Sequence, residues 1–394
     1  MIDRPGDEYG FRRAFHDWYF TVILEIDSSP DSRISRVDPV VFLHPSLHGL
    51  PSGGNQYNRR MIDMAERRGL PLQSVIVEQI GPASVKGFPP SLPVPAELAK
   101  GEVSRLRLWD SLLLARYAAL PPSIHRSRDA LLMHYLPSLN PLLDTNAQSA
   151  ARDLEDRAAC RVRCVIATGR LLAGVLRSRY PDIKLFVCEP GVDQIFASVA
   201  WQRRGQDGGE GPVDLLSVAN LVPAKGYVEL LAMLKEMPQM NWRWHMVGSS
   251  DVDPEFAQEF MRRARSFIAA GRIVVHGVLD PPSLAQLMAG MEIFVCPSHF
   301  ESYGMAVAEA VAAGLPVVAT DVGEVNRLIR NDRDGYVLPV GCWRQFASRL
   351  AELIVNPERR RAFRAARVLR VRSWEEAFAD FATACCVIQG YGEP

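Results

Sequence analysis

Short apolar runs alternate with amphipathic stretches along most of this 394-residue chain. A run such as VVFLH, residues 40–44, predicts a buried strand, and the stretch after it predicts a helix because Tyr57, Met61 and Met64 recur at helical spacing. Strands spaced by helices are typical of βαβ units on a parallel sheet. We therefore predict an α/β protein with two Rossmann-like, doubly wound domains that face each other across a cleft.

The boundary between the two domains is predicted at WQRRGQDGGEGP, the most polar and glycine-rich segment, which has the composition of a linker. Near the end of the chain, Ser373 followed three residues later by Glu376 predicts a capping box at the start of a last helix. The predicted segments are an extension at 1–37, an N-terminal domain at 38–200, the linker at 201–212, a C-terminal domain at 213–372 and the last helix at 373–394.

The extension contains FRRAFHDWYFTVILEI, residues 11–26, which is aromatic and apolar with two arginines near its start. Two interpretations stay open: a basic amphipathic helix on a membrane surface or a partner, and an extension packed on the body of the protein. Elsewhere the chain has no apolar run of about eighteen residues and no signal-peptide pattern, so we expect a cytoplasmic protein.

Composition narrows the classes of partner. The formal net charge is zero, so no global charge favours nucleic acid, and any acidic ligand needs local groups to hold it. The seven cysteines are an odd number without paired CxxC spacing, which predicts reduced thiols and no zinc site.

Two strand-to-helix junctions could hold an anion. Gly53 and Gly54 give bare backbone before a helix, which suits a phosphate or a sugar diphosphate but also a simple turn. Lys225 stands at a second junction, where its ammonium would reach a phosphate, although a solvated turn lysine has the same pattern.

HFESYGMAVAEA, residues 299–310, has two glutamates eight positions apart and no other acidic or basic residue between them. Glu309 lies in an alanine-rich segment, where a buried carboxylate is costly unless it has a partner. If both glutamates were helical, Glu301 and Glu309 would share a broad face two turns apart, and one long ligand would reach both. A charge at the helix start and a solvated Glu309 are the alternative.

This segment and its continuation LPVVATDVG resemble the E-x7-E segment of retaining glycosyltransferases of the GT-B fold, family four of the usual classification. The similarity extends from about Asp38 and includes PSGGNQYNRRMIDMAERRG, LSVANLVPAKGYVELLAML and DGYVLPVG. The resemblance implies a metal-independent enzyme without a cofactor, which moves a hexose from a nucleoside-diphosphate sugar to a hydroxyl acceptor.

The resemblance also implies roles for residues of the C-terminal domain. Glu301 would lie at the donor sugar near the reaction centre, Glu309 would accept hydrogen bonds from the ribose hydroxyls, and Lys225 would neutralise the diphosphate. Backbone N–H groups at the donor sugar and diphosphate would come from Tyr303, Gly304 and Met305. The free N–H groups expected at a helix start add Ser302 as a further candidate for binding phosphate oxygens.

In the N-terminal domain, Gly53 and Gly54 match the glycine loop that closes over the phosphates of the donor. His134, in MHYLPSLNP, resembles the histidine that contacts the donor sugar near the reacting carbon, although a histidine at a strand end often has only a structural role.

The chain departs from the family pattern at the diphosphate. Asn220 stands where the family commonly has an arginine, so one positive charge is absent there, and Arg327 is a candidate replacement. Glu324 begins a stretch where the family usually continues with glycine, then proline and glutamate. These departures motivate one alternative, a non-catalytic sensor or scaffold that binds nucleotide sugars. A related phosphorylase or epimerase is a second alternative, which the E-x7-E segment disfavours.

Overall fold

The computed structural model describes residues 39–47, 52–77, 106–121, 129–202, 211–366 and 371–390. The extension at 1–37, for which the sequence left two interpretations open, lies outside the described residues. The same is true of residues 203–210, which form most of the predicted linker.

The N-terminal domain is built on a parallel sheet, and six strands fall within the described residues in the order β2-β1-β3-β4-β5-β6. Strand β4 has the sequence DALLM and is buried at every position, as expected for a strand that helices cover on both faces. The strand bounds are β1 Val40–His44, β2 Leu72–Ile76, β3 Arg107–Asp110, β4 Asp129–Met133, β5 Cys164–Ala167 and β6 Lys184–Val187.

A second parallel sheet forms the C-terminal domain, and its described strands follow the order β12-β11-β10-β7-β8-β9. In both sheets the order reverses direction at the first strand of the domain, which is the arrangement of a doubly wound fold. The strand bounds are β7 Val213–Val218, β8 Trp242–Val247, β9 Ile273–Gly277, β10 Ile293–Cys296, β11 Val317–Thr320 and β12 Gly335–Leu338. The prediction of two doubly wound α/β domains is confirmed.

Helices connect the strands, and local sequence sets their ends. Helix α1 begins after Ser52, whose side chain accepts a hydrogen bond from the Asn55 N–H, and ends at Gly69 with φ +74°. The helix bounds are α1 Gly53–Arg68, α2 Leu114–Ala119, α3 Thr145–Ala159, α4 Arg170–Arg179, α5 Gln194–Gln202, α6 Tyr227–Lys235, α7 Pro254–Ala269, α8 Pro281–Gly290, α9 Met305–Ala312, α10 Val325–Leu328, α11 Trp343–Val355, α12 Pro357–Ala365 and α13 Trp374–Gln389.

Helix α5 differs from the domain division that the sequence suggested. Its residues were assigned to the N-terminal domain and the start of the linker, but Phe196 and Val199 belong to a hydrophobic cluster that includes Phe294 and Val317 of the C-terminal sheet. The chain therefore reaches the C-terminal domain before the polar segment and not after it.

Helix α13 returns the chain to the N-terminal domain. Ser373 and Glu376 form the capping box that the sequence predicted. Trp374 and Phe378 are buried in a cluster with Val40 and Phe42 of strand β1. In the described residues no helix combines the length and apolarity needed to cross a bilayer.

Candidate active site

The amino-terminal ends of helices α1 and α9 meet between the two domains. A Cβ atom added to Gly53 would lie 3.2 Å from Sδ of Met305, so the glycine lets the two helices approach closely. Three residues further along α1, Gln56 Nε2 donates a hydrogen bond of 3.3 Å to Glu309 Oε1. The domains are thus in contact at the residues that the sequence placed at the phosphates and the ribose.

Lys225 and Glu301 form an ion pair on the C-terminal side of the cleft. The Lys225 Nζ lies 2.7 Å from Glu301 Oε1, and both side chains keep about a fifth of their surface exposed. Ser298 Oγ donates to the same carboxylate oxygen at 3.0 Å. The pair is oriented by its own hydrogen bonds and still open to a ligand.

Helix α9 begins four residues after Glu301. Gly304 precedes it with φ +97°, and no side chain caps the helix. The first backbone N–H groups of an α-helix have no partner within the helix, so those from Met305 onward are available to an anion. Glu301 lies in the preceding loop, so the two glutamates do not share one helix, and the condition for a shared helical face is not met.

Glu309 lies within α9 and is only 7% exposed. Burial raises the pKa of this carboxyl to about 7, the hydrogen bond from Gln56 opposes that shift, and the nearby charges of Asp193 and Arg60 make smaller and opposite contributions. The carboxylate is therefore not solvated, which removes the alternative that the sequence left open. Its hydrogen bond comes from a neutral amide of the other domain.

His134 follows strand β4 and is buried beside the glycines. A Cβ atom added to Gly54 would lie 3.1 Å from Cδ2 of the imidazole. The ring of Tyr57 packs edge-on with a centroid distance of 5.4 Å. Gly54 and His134 of the N-terminal domain therefore form one surface, which continues through Gly53 to Met305.

Two buried polar residues that the sequence analysis missed support His134. His134 Nε2 lies 2.9 Å from Asn58 Oδ1 and 3.4 Å from Asp110 Oδ2, while the Asn58 amide also donates to Asp110. Asp110 ends the apolar run LRLWD at the carboxyl end of β3, and that polar residue at a strand end was the available signal. The sequence contains no sign of a functional role for Asn58, because nothing distinguishes it from the other polar residues of α1.

Asn220 has a structural partner. Its Oδ1 accepts a hydrogen bond of 3.1 Å from the backbone N–H of Ser249, and this contact joins the loops that follow β7 and β8. Asn220 carries no charge and therefore supplies none to a diphosphate. Lys225 is the cation that the structure places beside Glu301.

Arg327, the candidate replacement for the absent arginine, is held by two carboxylates. Its guanidinium binds Glu189 at 2.5 Å and Glu324 at 2.7 Å. Glu324 is 1% exposed and also accepts a hydrogen bond of 2.7 Å from the backbone N–H of Leu171 in α4. These residues link the two domains, and Glu189, Glu324 and Arg327 line an adjacent cavity of about 160 Å³.

Gly169 explains why Glu324 reaches α4. Gly169 is the N-cap of that helix and has no side chain to cap it. A Cβ atom added there would lie 3.1 Å from Glu324 Oε1, so the glycine leaves room for the carboxylate of the other domain to do the capping.

The two facing doubly wound domains, the returning last helix and the cleft between them define the GT-B fold. A sucrose-phosphate synthase from Thermosynechococcus elongatus superposes with a TM-score of 0.69 at 17% identity, over 88% of this chain and 98% of that one. Anabaena HepE, solved in complex with UDP and glucose, gives a TM-score of 0.63 at 17% identity, over 89% of this chain and 97% of that one.

Sequence comparison matches the C-terminal part of the chain to a family model. Residues 201–367, which are less than half of the chain, match the model of the family described as Glycosyl transferases group 1. A GDP-mannose-dependent alpha-mannosyltransferase from Mycobacterium tuberculosis is 33% identical over 155 residues. That match spans 39% of this chain and 39% of the relative's length.

Proposed function

We propose that this chain is a retaining glycosyltransferase that moves a hexose from a nucleoside-diphosphate sugar to a hydroxyl acceptor. The observation that carries the proposal is the buried carboxyl of Glu309, whose burial raises its pKa to about 7. Because burying a carboxylate costs free energy, the presence of Glu309 indicates a functional role. Hydroxyl groups of a ribose would supply hydrogen bonds in addition to the one from the Gln56 amide.

The other groups of the site have complementary tasks in this proposal. The N–H groups at the start of α9 and the ammonium of Lys225 would stabilise the diphosphate as it leaves. Glu301 holds Lys225 at 2.7 Å and would face the donor sugar from the loop before α9. No metal ligand takes part in this scheme, because the cation and the helix N-terminus carry the charge of the leaving group.

Retention of configuration is part of the proposal and follows from the family resemblance. In this mechanism the acceptor hydroxyl attacks the face from which the diphosphate departs, and a departing phosphate oxygen takes the proton. The bond from the anomeric carbon to the diphosphate breaks as the new glycosidic bond forms. His134, at the carboxyl end of β4, would contact the sugar on the side of the N-terminal domain.

The proposal is tested by incubating the full chain with GDP-mannose, UDP-glucose and ADP-glucose, each with a panel of hydroxyl acceptors, and measuring released nucleoside diphosphate. GDP-mannose comes first because a similar protein is named for it. We expect release with one donor, and NMR of the product should show the anomeric configuration of that donor. Release with an inverted product contradicts retention.

A second candidate, a sensor that binds nucleotide sugars without turnover, is favoured by one observation. Asn220 brings no charge to the site and Arg327 is bound to two carboxylates, so neither of these two residues offers an unpaired positive charge to the diphosphate. Tight binding of a nucleotide sugar without any release, across donors and acceptors, identifies the sensor. Release identifies the enzyme.

A further inference from the structure

Three buried polar residues form a chain of hydrogen bonds next to Gly54, at the start of helix α1. We refer to Asp110, Asn58 and His134 together as the relay. Asp110 and Asn58 have no exposed surface, and His134 is 7% exposed. Each member comes from a different element: Asp110 ends strand β3, Asn58 lies in helix α1, and His134 follows strand β4. Buried polar groups of this kind hold one arrangement when every member has a partner.

The relay has a direction that starts at Asp110. Asp110 Oδ1 accepts a hydrogen bond of 2.6 Å from the backbone N–H of Leu112, so the carboxylate is fixed in place. Asp110 Oδ2 accepts a hydrogen bond from the NH₂ group of the Asn58 amide, which fixes the orientation of that amide. The carbonyl oxygen of the same amide then faces His134 Nε2 at 2.9 Å.

That carbonyl oxygen decides which ring nitrogen carries hydrogen. An oxygen acceptor at 2.9 Å requires an N–H on Nε2, so in the neutral imidazole Nδ1 is left as an acceptor. Among the described residues Nδ1 has no hydrogen-bond partner. Gly54 and Tyr57 pack against the ring and fix its orientation.

We propose that Asn58 and Asp110 are positioning residues that hold the hydrogen of His134 on Nε2, so that Nδ1 accepts a hydrogen bond from a hydroxyl group of the bound sugar. Neither residue touches the sugar, because both are fully buried. The effect on sugar transfer rests on the proposed function, whereas the position of the hydrogen does not.

The first arm of the test is ¹⁵N NMR of the histidine side chains in the full chain at about pH 8, where an ordinary imidazole is neutral. The His134 signals are those that disappear in His134→Gln. We expect a protonated Nε2 and an unprotonated Nδ1 in the wild type. A wild type with its hydrogen on Nδ1 overturns the proposal without any variant.

Asp110→Asn gives the opposite tautomer if the relay has the direction described. The new amide would donate to Asn58, whose own amide would turn and present NH₂ to His134, so the hydrogen moves to Nδ1. If Asp110→Asn does not fold, the double variant Asn58→Leu/Asp110→Leu, which removes both oxygen acceptors near Nε2, should populate both tautomers. An unchanged tautomer in the variant that folds contradicts the relay.

Ser74→Ala is the matched control, because Ser74 Oγ lies 2.7 Å from Nε2 of His44, another buried histidine of the N-terminal domain. It should change the His44 signals and leave those of His134 as they are. A change at His134 of the size seen in Asp110→Asn would show a general disturbance of the domain and overturn the relay.

The second arm measures nucleoside diphosphate release. Asp110→Asn should lower kcat/KM for the donor about tenfold, the value of one neutral hydrogen bond to the sugar. If the wild type turns over no donor, the proposed function fails and the tautomer result still stands. If Asp110→Asn swaps the tautomer and transfers sugar at the wild-type rate, the positioning role fails alone.

Discussion

Replacing Glu309 by glutamine tests whether the buried carboxylate destabilises the folded protein. The pKa of Glu309 is raised from 4.5 to about 7 by burial, so the folded protein binds this proton more tightly than the unfolded chain does. The contribution of Glu309 to the free energy of unfolding is therefore largest below pH 4.5 and decreases as the pH rises from 4.5 to 7. Each pKa unit corresponds to about 1.4 kcal/mol, so the wild type loses about 3 kcal/mol over that range.

Glu309→Gln keeps an oxygen that accepts from Gln56 and removes the charge, so it should escape this loss. We expect the variant to be more stable than the wild type by up to about 3 kcal/mol near pH 8, with the difference shrinking toward pH 4.5. Thermal unfolding of both proteins across this pH range measures the difference. A variant that is equally stable or less stable near pH 8 would falsify the argument that the carboxylate is buried at a cost.

Glu324→Gln is the matched control for that experiment. Glu324 is also buried, but it binds the Leu171 N–H and Arg327, so its charge is paired. The substitution weakens both contacts and should lower stability at pH 8, opposite in sign to Glu309→Gln. A gain in stability from both substitutions would show only a general benefit of removing carboxylates.

Four further predictions concern the site and the link between the domains. Lys225→Ala should lower turnover at saturating donor about 100-fold, because the leaving diphosphate loses its cation. Lys235→Ala, at the exposed end of helix α6, should not lower it, and equal kinetics for both variants would contradict the role of Lys225. Affinity for a nucleoside diphosphate should weaken as the pH falls below about 7, because protonated Glu309 accepts hydrogen bonds poorly. Calorimetry that shows pH-independent binding in the wild type, or the same pH dependence in Glu309→Gln, would refute this. Glu324→Ala should speed hydrogen exchange at Leu171, since α4 loses a cap worth about 1 kcal/mol, and unchanged exchange would show that the contact is absent in solution. Chelation with EDTA should leave nucleotide release unchanged, and a loss restored by a divalent cation would show a metal-dependent reaction.

The fold was predictable because its signals are local. The sequence itself shows the periodicity of short apolar runs such as VVFLH and of amphipathic stretches such as YVELLAMLK. These two segments form β1 and α6 at the expected places. The capping box at Ser373 is also local, since both of its hydrogen bonds join residues three positions apart. Helix α5 was assigned to the other domain because its apolar face has the same appearance whichever core it packs against.

The pairings in the site were not predictable, because they join residues far apart in the chain. Lys225 and Glu301 were each predicted at the donor, but their contact is formed across 76 positions. Glu324 appeared as a departure from a family pattern, and only the three-dimensional structure shows that it caps a helix whose own N-cap is a glycine. Asn58 acquires its role from Asp110, at the end of strand β3, and His134, just after strand β4.

The most direct test of the central claim, that Glu309 holds the ribose of the donor, is a calorimetric double-mutant cycle. Binding of the nucleoside diphosphate with the highest affinity is compared with that of its 2′,3′-dideoxy analogue, in the wild type and in Glu309→Gln. We predict that removal of the hydroxyl groups weakens binding to the wild type by about 2 kcal/mol and has much less effect on the variant, because the carboxylate and the hydroxyl groups are partners. An equal loss in both proteins would contradict the claim, because it would show that the ribose binds elsewhere.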